Sequence, residues 1–95
     1  MNFPVRFKAS GARDVERAFG WYEAQRKGLG SQFREELNIV LDLIAANPES
    51  SPIVRTRIRR AVLRRFPYLV FYLVERQQIV VLACLHASRD PTRWP

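Results

Sequence analysis

Two apolar runs, Leu69 to Val74 and Ile79 to Leu85, separated only by Glu75-Arg76-Gln77-Gln78, constrain this chain more than any other feature. Each is strand-sized and far short of a membrane span. Two such runs joined by a short polar turn predict an antiparallel hairpin. Tyr68 to Val74 is apolar on both faces, which predicts a central strand, with Ile79 to His86 returning beside it. A chain of 95 residues forms a single domain, 1–95, so the remaining segments have to cover this hairpin.

The preceding segments predict such a cover. Phe3 to Phe7 alternates weakly and reads as a short strand, with Pro4 placing it at an edge or a strand start. Ser10 is positioned to cap a helix whose stripe is Ala12, Val15, Ala18, Phe19 and Tyr22, and Gly28 after Arg26-Lys27 supplies its stop. Gly28-Leu29-Gly30 reads as a tight connector to a second helix, with the stripe Phe33, Leu37, Val40, Leu41 and Ile44 and an end at Asn47-Pro48. So short a loop makes the two an antiparallel helical hairpin. Ile39 and Leu43 lie off the second stripe; they either widen the buried face or leave an apolar groove for a partner. Glu49 to Val54, rich in Ser and Pro, reads as a surface loop. Arg57 to Arg65 reads as an exposed outer strand, with Ile58 and Val62 on one side and Arg57, Arg59, Ala61 and Leu63 on the other. The order strand, helix, helix, then a three-stranded antiparallel meander predicts an α+β domain with the hairpin on one face of the sheet.

Charge is distributed unevenly. Residues 1–48 carry seven Lys and Arg against six Asp and Glu, while residues 49–95 carry nine against three, so +6 of the net +7 lies in the second half. Six arginines, Arg55, Arg57, Arg59, Arg60, Arg64 and Arg65, fall within eleven positions with no acidic residue among them. Such a patch attracts phosphate backbones or an acidic protein segment, or it serves only as a solvated, aggregation-resistant strand. The lone cysteine, Cys84, lies in an apolar run, so no disulfide framework is expected and a reducing cytoplasm fits. Arg6 and Lys8 interrupt the N-terminal segment and no apolar run follows, so no signal peptide is expected. There is no carboxylate pair, Gly-rich phosphate loop or metal-ligand spacing, and neither a cofactor nor a metal is expected.

The single histidine, His86, ends the last strand. It is either a general acid or base or, through Ser88, Arg89 and Asp90, a brace for the C-terminal tail. Tyr68 and Tyr72 share a face and are core or an aromatic platform; Trp21 and Trp94 are interface anchors or packing residues. Asp90 pairs with Arg89 or Arg93, or caps the turn before Pro91.

Taken together, Trp21-Tyr22-Glu23, Gly28-Leu29-Gly30 followed by Phe33, the Asn47-Pro48 helix end, Arg65-Phe66-Pro67-Tyr68 with Tyr72, and His86 followed by Arg89-Asp90-Pro91 and Trp94 resemble the RelE/ParE superfamily of bacterial toxins from type II toxin-antitoxin systems. The likeness spans nearly the whole chain. It implies one of two activities: RelE-like members are ribosome-dependent endoribonucleases acting on messenger RNA, and ParE-like members poison DNA gyrase. Arg-Phe-Pro-Tyr is similar to the ParE-like branch. RelE-like nucleases place a key arginine where this chain has Pro67 or Tyr68. The resemblance therefore implies a gyrase-directed toxin held by a ParD-like antitoxin in a hetero-oligomer. Arg57, Arg59, Arg60, Ile39 and Leu43 are expected to meet the antitoxin, and Tyr68, Arg89 and Trp94 the target. If the chain is instead a nuclease acting on ribosome and mRNA, His86, Arg64, Arg65 and Arg89 are its candidate catalytic groups. A non-toxic relic that only binds antitoxin is the third reading.

Overall fold

The computed structural model describes residues 2–95. Its elements are β1 (Val5–Phe7), α1 (Ala9–Gln25), α2 (Leu29–Ala46), β2 (Ile53–Arg55), β3 (Ile58–Val62), β4 (Tyr68–Glu75) and β5 (Gln78–His86), closed by a 3-10 turn at Pro91–Arg93. The five strands form one sheet in the order β1-β5-β4-β3-β2; β1 runs parallel to β5 and every other pair is antiparallel. The class is α+β, with both helices on one face of the sheet. The apolar runs form the centre: Val70, Phe71, Tyr72, Ile79 and Val81 are buried. Arg76 and Gln77 alone turn the hairpin, both with positive φ (52° and 59°). This two-residue turn geometry favours Asn-Gly, so the chain makes it at a conformational cost.

Phe33, fully buried, joins the helices to the sheet. Its ring stacks on Tyr22 at 5.5 Å and meets Phe66 and Tyr68 edge-on at 5.6 and 5.2 Å. α1 also seals a sheet edge. β1 pairs with β5 only as far as Val81, and beyond it the Lys8 N–H donates to the Val81 carbonyl, the Ser10 hydroxyl to the Leu82 carbonyl, and the Cys84 N–H to Asp14 Oδ2. The close approach requires Gly11: a Cβ there would lie 2.8 Å from the Val81 carbonyl oxygen.

Four boundaries differ from the sequence reading. Ser10 is not a cap; α1 starts at Ala9, and the hydroxyl is taken by the open edge of β5. α1 stops at Gln25, and Gly28 (φ 90°) is the cap that opens α2, with Leu29 and Gly30 already helical. Glu23 makes this turn possible, because its carboxylate accepts the N–H groups of Gly28 and Gly30 at 2.9 and 3.0 Å. The presumed loop ends in a strand, β2, so the meander has four strands rather than three and β3 is not outermost. β3 itself stops at Val62, since Leu63 turns the chain by donating to the Tyr68 carbonyl.

Candidate functional site

The basic segment is divided by the fold rather than presented as one patch. Arg59 is committed internally, its Nη1 donating to the carbonyls of Glu49 and Ser51 at 3.1 and 2.7 Å. Arg57 lies in the β2–β3 turn. Arg60 faces the opposite side of the sheet, its guanidinium 5.6 Å from the Trp94 ring. Arg64 and Arg65 are exposed on the β3–β4 link, which Glu36 of α2 holds: its carboxylate accepts the Arg64 N–H at 2.5 Å and the Arg65 N–H at 2.9 Å. The ion pairs among the described residues, Arg34–Glu16 and Arg17–Asp14, lie elsewhere. The arginine charges are therefore uncompensated.

Between α2 and β3 runs a groove of about 610 Å³ lined by Ile39, Leu43, Val62, Arg60, Arg64 and Arg65. Ile39, Leu43 and Val62 remain 56–61% exposed, unusual for large aliphatic side chains lying together. β2 flanks only the first half of β3. Past Arg60, whose N–H reaches the Pro52 carbonyl, the outer edge of β3 has no strand beside it. Of the residues expected to meet the antitoxin, Ile39, Leu43 and Arg60 line this groove, while Arg57 and Arg59 do not. Arg64 and Arg65, considered only as nuclease groups, do.

The target-facing candidates separate as well. Tyr68 and His86 are cross-strand partners with ring centroids 5.3 Å apart, and Arg89 lines the cleft beside them. Trp94 lies on the far face of the sheet, 5.1 Å from Phe71, under the tail that Asp90 caps through the Thr92 N–H. His86 Nδ1 accepts the Ser88 N–H at 3.1 Å and lies 2.8 Å from Ser88 Oγ. An Nδ1 that accepts a backbone N–H leaves the neutral ring's proton on Nε2. Arg64 and Arg65 share no cavity with His86. Burial pushes the Cys84 thiol up to about 12, with the Asp14 charge adding to the shift, so at neutral pH it is a protonated core group. Burial likewise raises the Tyr68 phenol; Tyr22, Cys84 and Asp14 reinforce the shift and Arg89 opposes it.

One residue that the sequence reading offered as an interface anchor or a packing residue lines a pocket with two of the other candidates. Trp21, 59% exposed, packs edge-on to Tyr22 at 5.1 Å and stands over Tyr68 and His86 in a pocket of about 400 Å³. Its signal was positional: Tyr22 belongs to the buried stripe of α1, so the adjacent Trp21 is turned out of it.

No helix among the described residues is long and apolar enough to cross a membrane. Comparison with curated proteins finds no match. The fold is similar to a solved chain of the chromosomal ParDE TA system from P. aeruginosa, with TM-score 0.79 at 14% identity over 90% of this chain and 97% of that one. It is less similar to the isolated E. coli RelE toxin, with TM-score 0.50 at 18% identity over 95% and 89%. The family model for the ParE toxin of type II toxin-antitoxin system, parDE, matches residues 5–91. The chain therefore belongs to the ParE toxin family of type II toxin-antitoxin systems.

Proposed function

We propose that this protein is a ParE-like toxin that acts in the cytoplasm by inhibiting DNA gyrase and is neutralised by a cognate ParD-like antitoxin in a hetero-oligomer. The observation that carries the antitoxin half is the groove. Exposed Ile39, Leu43 and Val62 beside exposed Arg64 and Arg65 suit an acidic, amphipathic segment whose apolar side chains enter and whose carboxylates meet the rim, whereas Arg60 lines the groove with its guanidinium turned to Trp94. Arg57 and Arg59 drop out of that set.

Gyrase is preferred over messenger RNA because only two of the four nuclease candidates, His86 and Arg89, share a cleft. Metal-independent RNA cleavage needs a base, an acid and a cation around one phosphate. Here Arg64 and Arg65 line the groove, His86 and Arg89 line a separate cleft, and the Nδ1 lone pair of His86 is occupied. The test is the order of events after induction without antitoxin. DNA synthesis should stop first, cells should filament, and purified gyrase should accumulate cleaved DNA. Early loss of protein synthesis, with ribosome-dependent cuts in messenger RNA and unaffected gyrase, refutes the reading.

A further inference from the structure

The Trp21 pocket is not needed by the antitoxin groove and has a chemistry of its own. Four of its five lining residues carry aromatic rings: Trp21, Tyr22, Tyr68 and His86, with Pro67 as the fifth. Its volume of about 400 Å³ falls within the range of small-ligand sites. It adjoins a cleft of about 190 Å³ that shares Trp21, Tyr68 and His86 and adds Arg17, Arg89 and Asp14. We propose that this pocket takes an unstacked nucleobase, flat against Trp21, with the attached phosphate in the neighbouring cleft between Arg17 and Arg89.

Three independent features agree on that ligand. Trp21 offers an exposed ring, and stacking on such a ring tolerates any base. Two polar groups of the pocket are free to read a base edge. Among the described residues the Tyr68 hydroxyl has no hydrogen-bond partner, and His86, with Nδ1 occupied by the Ser88 amide, presents Nε2 as a donor. An aliphatic side chain of a partner protein would leave both unsatisfied, which is costly once the partner excludes water from the pocket. The charge sits where a phosphate would: Arg17 is exposed, its nearest carboxylate Asp14 lying 4.0 Å away, and Arg89 is exposed. Asp14 is occupied by the Cys84 N–H, which tempers its repulsion of an anion. An acidic peptide would satisfy the arginines but not the rings. A nucleotide satisfies both, whether it is free or part of a single strand.

The inference can be tested on the purified toxin without gyrase or antitoxin, so its failure would leave the proposed function standing. With Trp94→Phe as background, Trp21 is the only indole and its fluorescence reports on the pocket. AMP and a short single-stranded oligonucleotide should both quench it, whereas ribose 5-phosphate and inorganic phosphate should not. Trp21→Leu should weaken binding of a labelled oligonucleotide by about tenfold. Arg17→Gln and Arg89→Gln should lower affinity and flatten its salt dependence while leaving saturated quenching unchanged. Tighter binding of the oligonucleotide would identify a strand as the source, and equal or tighter binding of AMP a free nucleotide. Equal oligonucleotide affinity for Trp21→Leu, or competition by inorganic phosphate as strong as by AMP, overturns the proposal and assigns the binding to general charge attraction.

Discussion

The groove makes a quantitative demand on two side chains that contribute little to the fold. Full burial of a leucine or isoleucine is worth about 1.5–3 kcal/mol relative to full exposure. Leu43 keeps 61% and Ile39 56% of their surface in the free toxin, so a partner that covers them can recover roughly 1–2 kcal/mol from each. Leu43→Ala and Ile39→Ala should therefore each weaken antitoxin binding by about 5- to 30-fold. Because both side chains are largely outside the core and alanine is the better helix former, the stability of the free toxin should stay within about 0.5 kcal/mol. The assay is titration of fluorescently labelled antitoxin at two salt concentrations, paired with thermal unfolding of each variant. Arg64→Gln and Arg65→Gln should reduce the salt dependence, and Arg57→Gln, outside the groove, should change it less. Affinities within twofold of the parent for Leu43→Ala, Ile39→Ala and their double variant, at unchanged stability, would show that the partner lies elsewhere.

Two further predictions concern the frame. Glu36→Ala removes the acceptor for the Arg64 and Arg65 amides, and, discounted for partial exposure, should cost about 1–2 kcal/mol, a fall of roughly 4–16 °C in unfolding temperature for a domain of this size; a change under 1 °C would mean that the clasp adds nothing to stability. Replacing Arg76-Gln77 by Asn-Gly relieves two positive-φ positions and should raise stability by about 1 kcal/mol in denaturant unfolding, and a loss instead would show that the native side chains stabilise the turn.

What could be read in the sequence was whatever rests on local pattern. The β4–β5 hairpin, the stripes from Val15 to Tyr22 and Phe33 to Ile44, and the two faces of β3 all follow from apolar periodicity, which burial enforces directly. Ile39 and Leu43 stood out because they depart from that periodicity. What failed depends on backbone pairings and hydrogen bonds that apolar periodicity does not name. β2 exists because Ile53 and Arg55 pair with Arg59 and Ile58, while its own Ser-Pro surroundings signal a loop. Arg59 looked as available as its neighbours, but two carbonyls of the 49–51 loop occupy it. The Trp21 pocket unites positions 21, 68 and 86, and only the Tyr68–His86 register and the packing of Tyr22 on Phe66 bring them together.

Groove and pocket meet in the five residues from Arg64 to Tyr68. Arg64 and Arg65 line the groove, Pro67 and Tyr68 line the pocket, and Phe66 between them is buried against Tyr22 and Phe33. Each part of this link is held: Glu36 accepts the two arginine amides, Pro67 fixes its own φ, and the Tyr68 N–H donates to the Phe66 carbonyl at 2.7 Å. A link so constrained does not swing when the groove fills, and moving it would uncover Phe66 and open the aromatic cluster around Phe33. Neutralisation through a hinge here would therefore have to break the core. On the proposed function, an antitoxin seated on Ile39, Leu43 and Val62 would silence the Tyr68 side of the molecule more cheaply by physically covering it, and that places the demand on the length of the antitoxin segment rather than on any flexibility of the toxin.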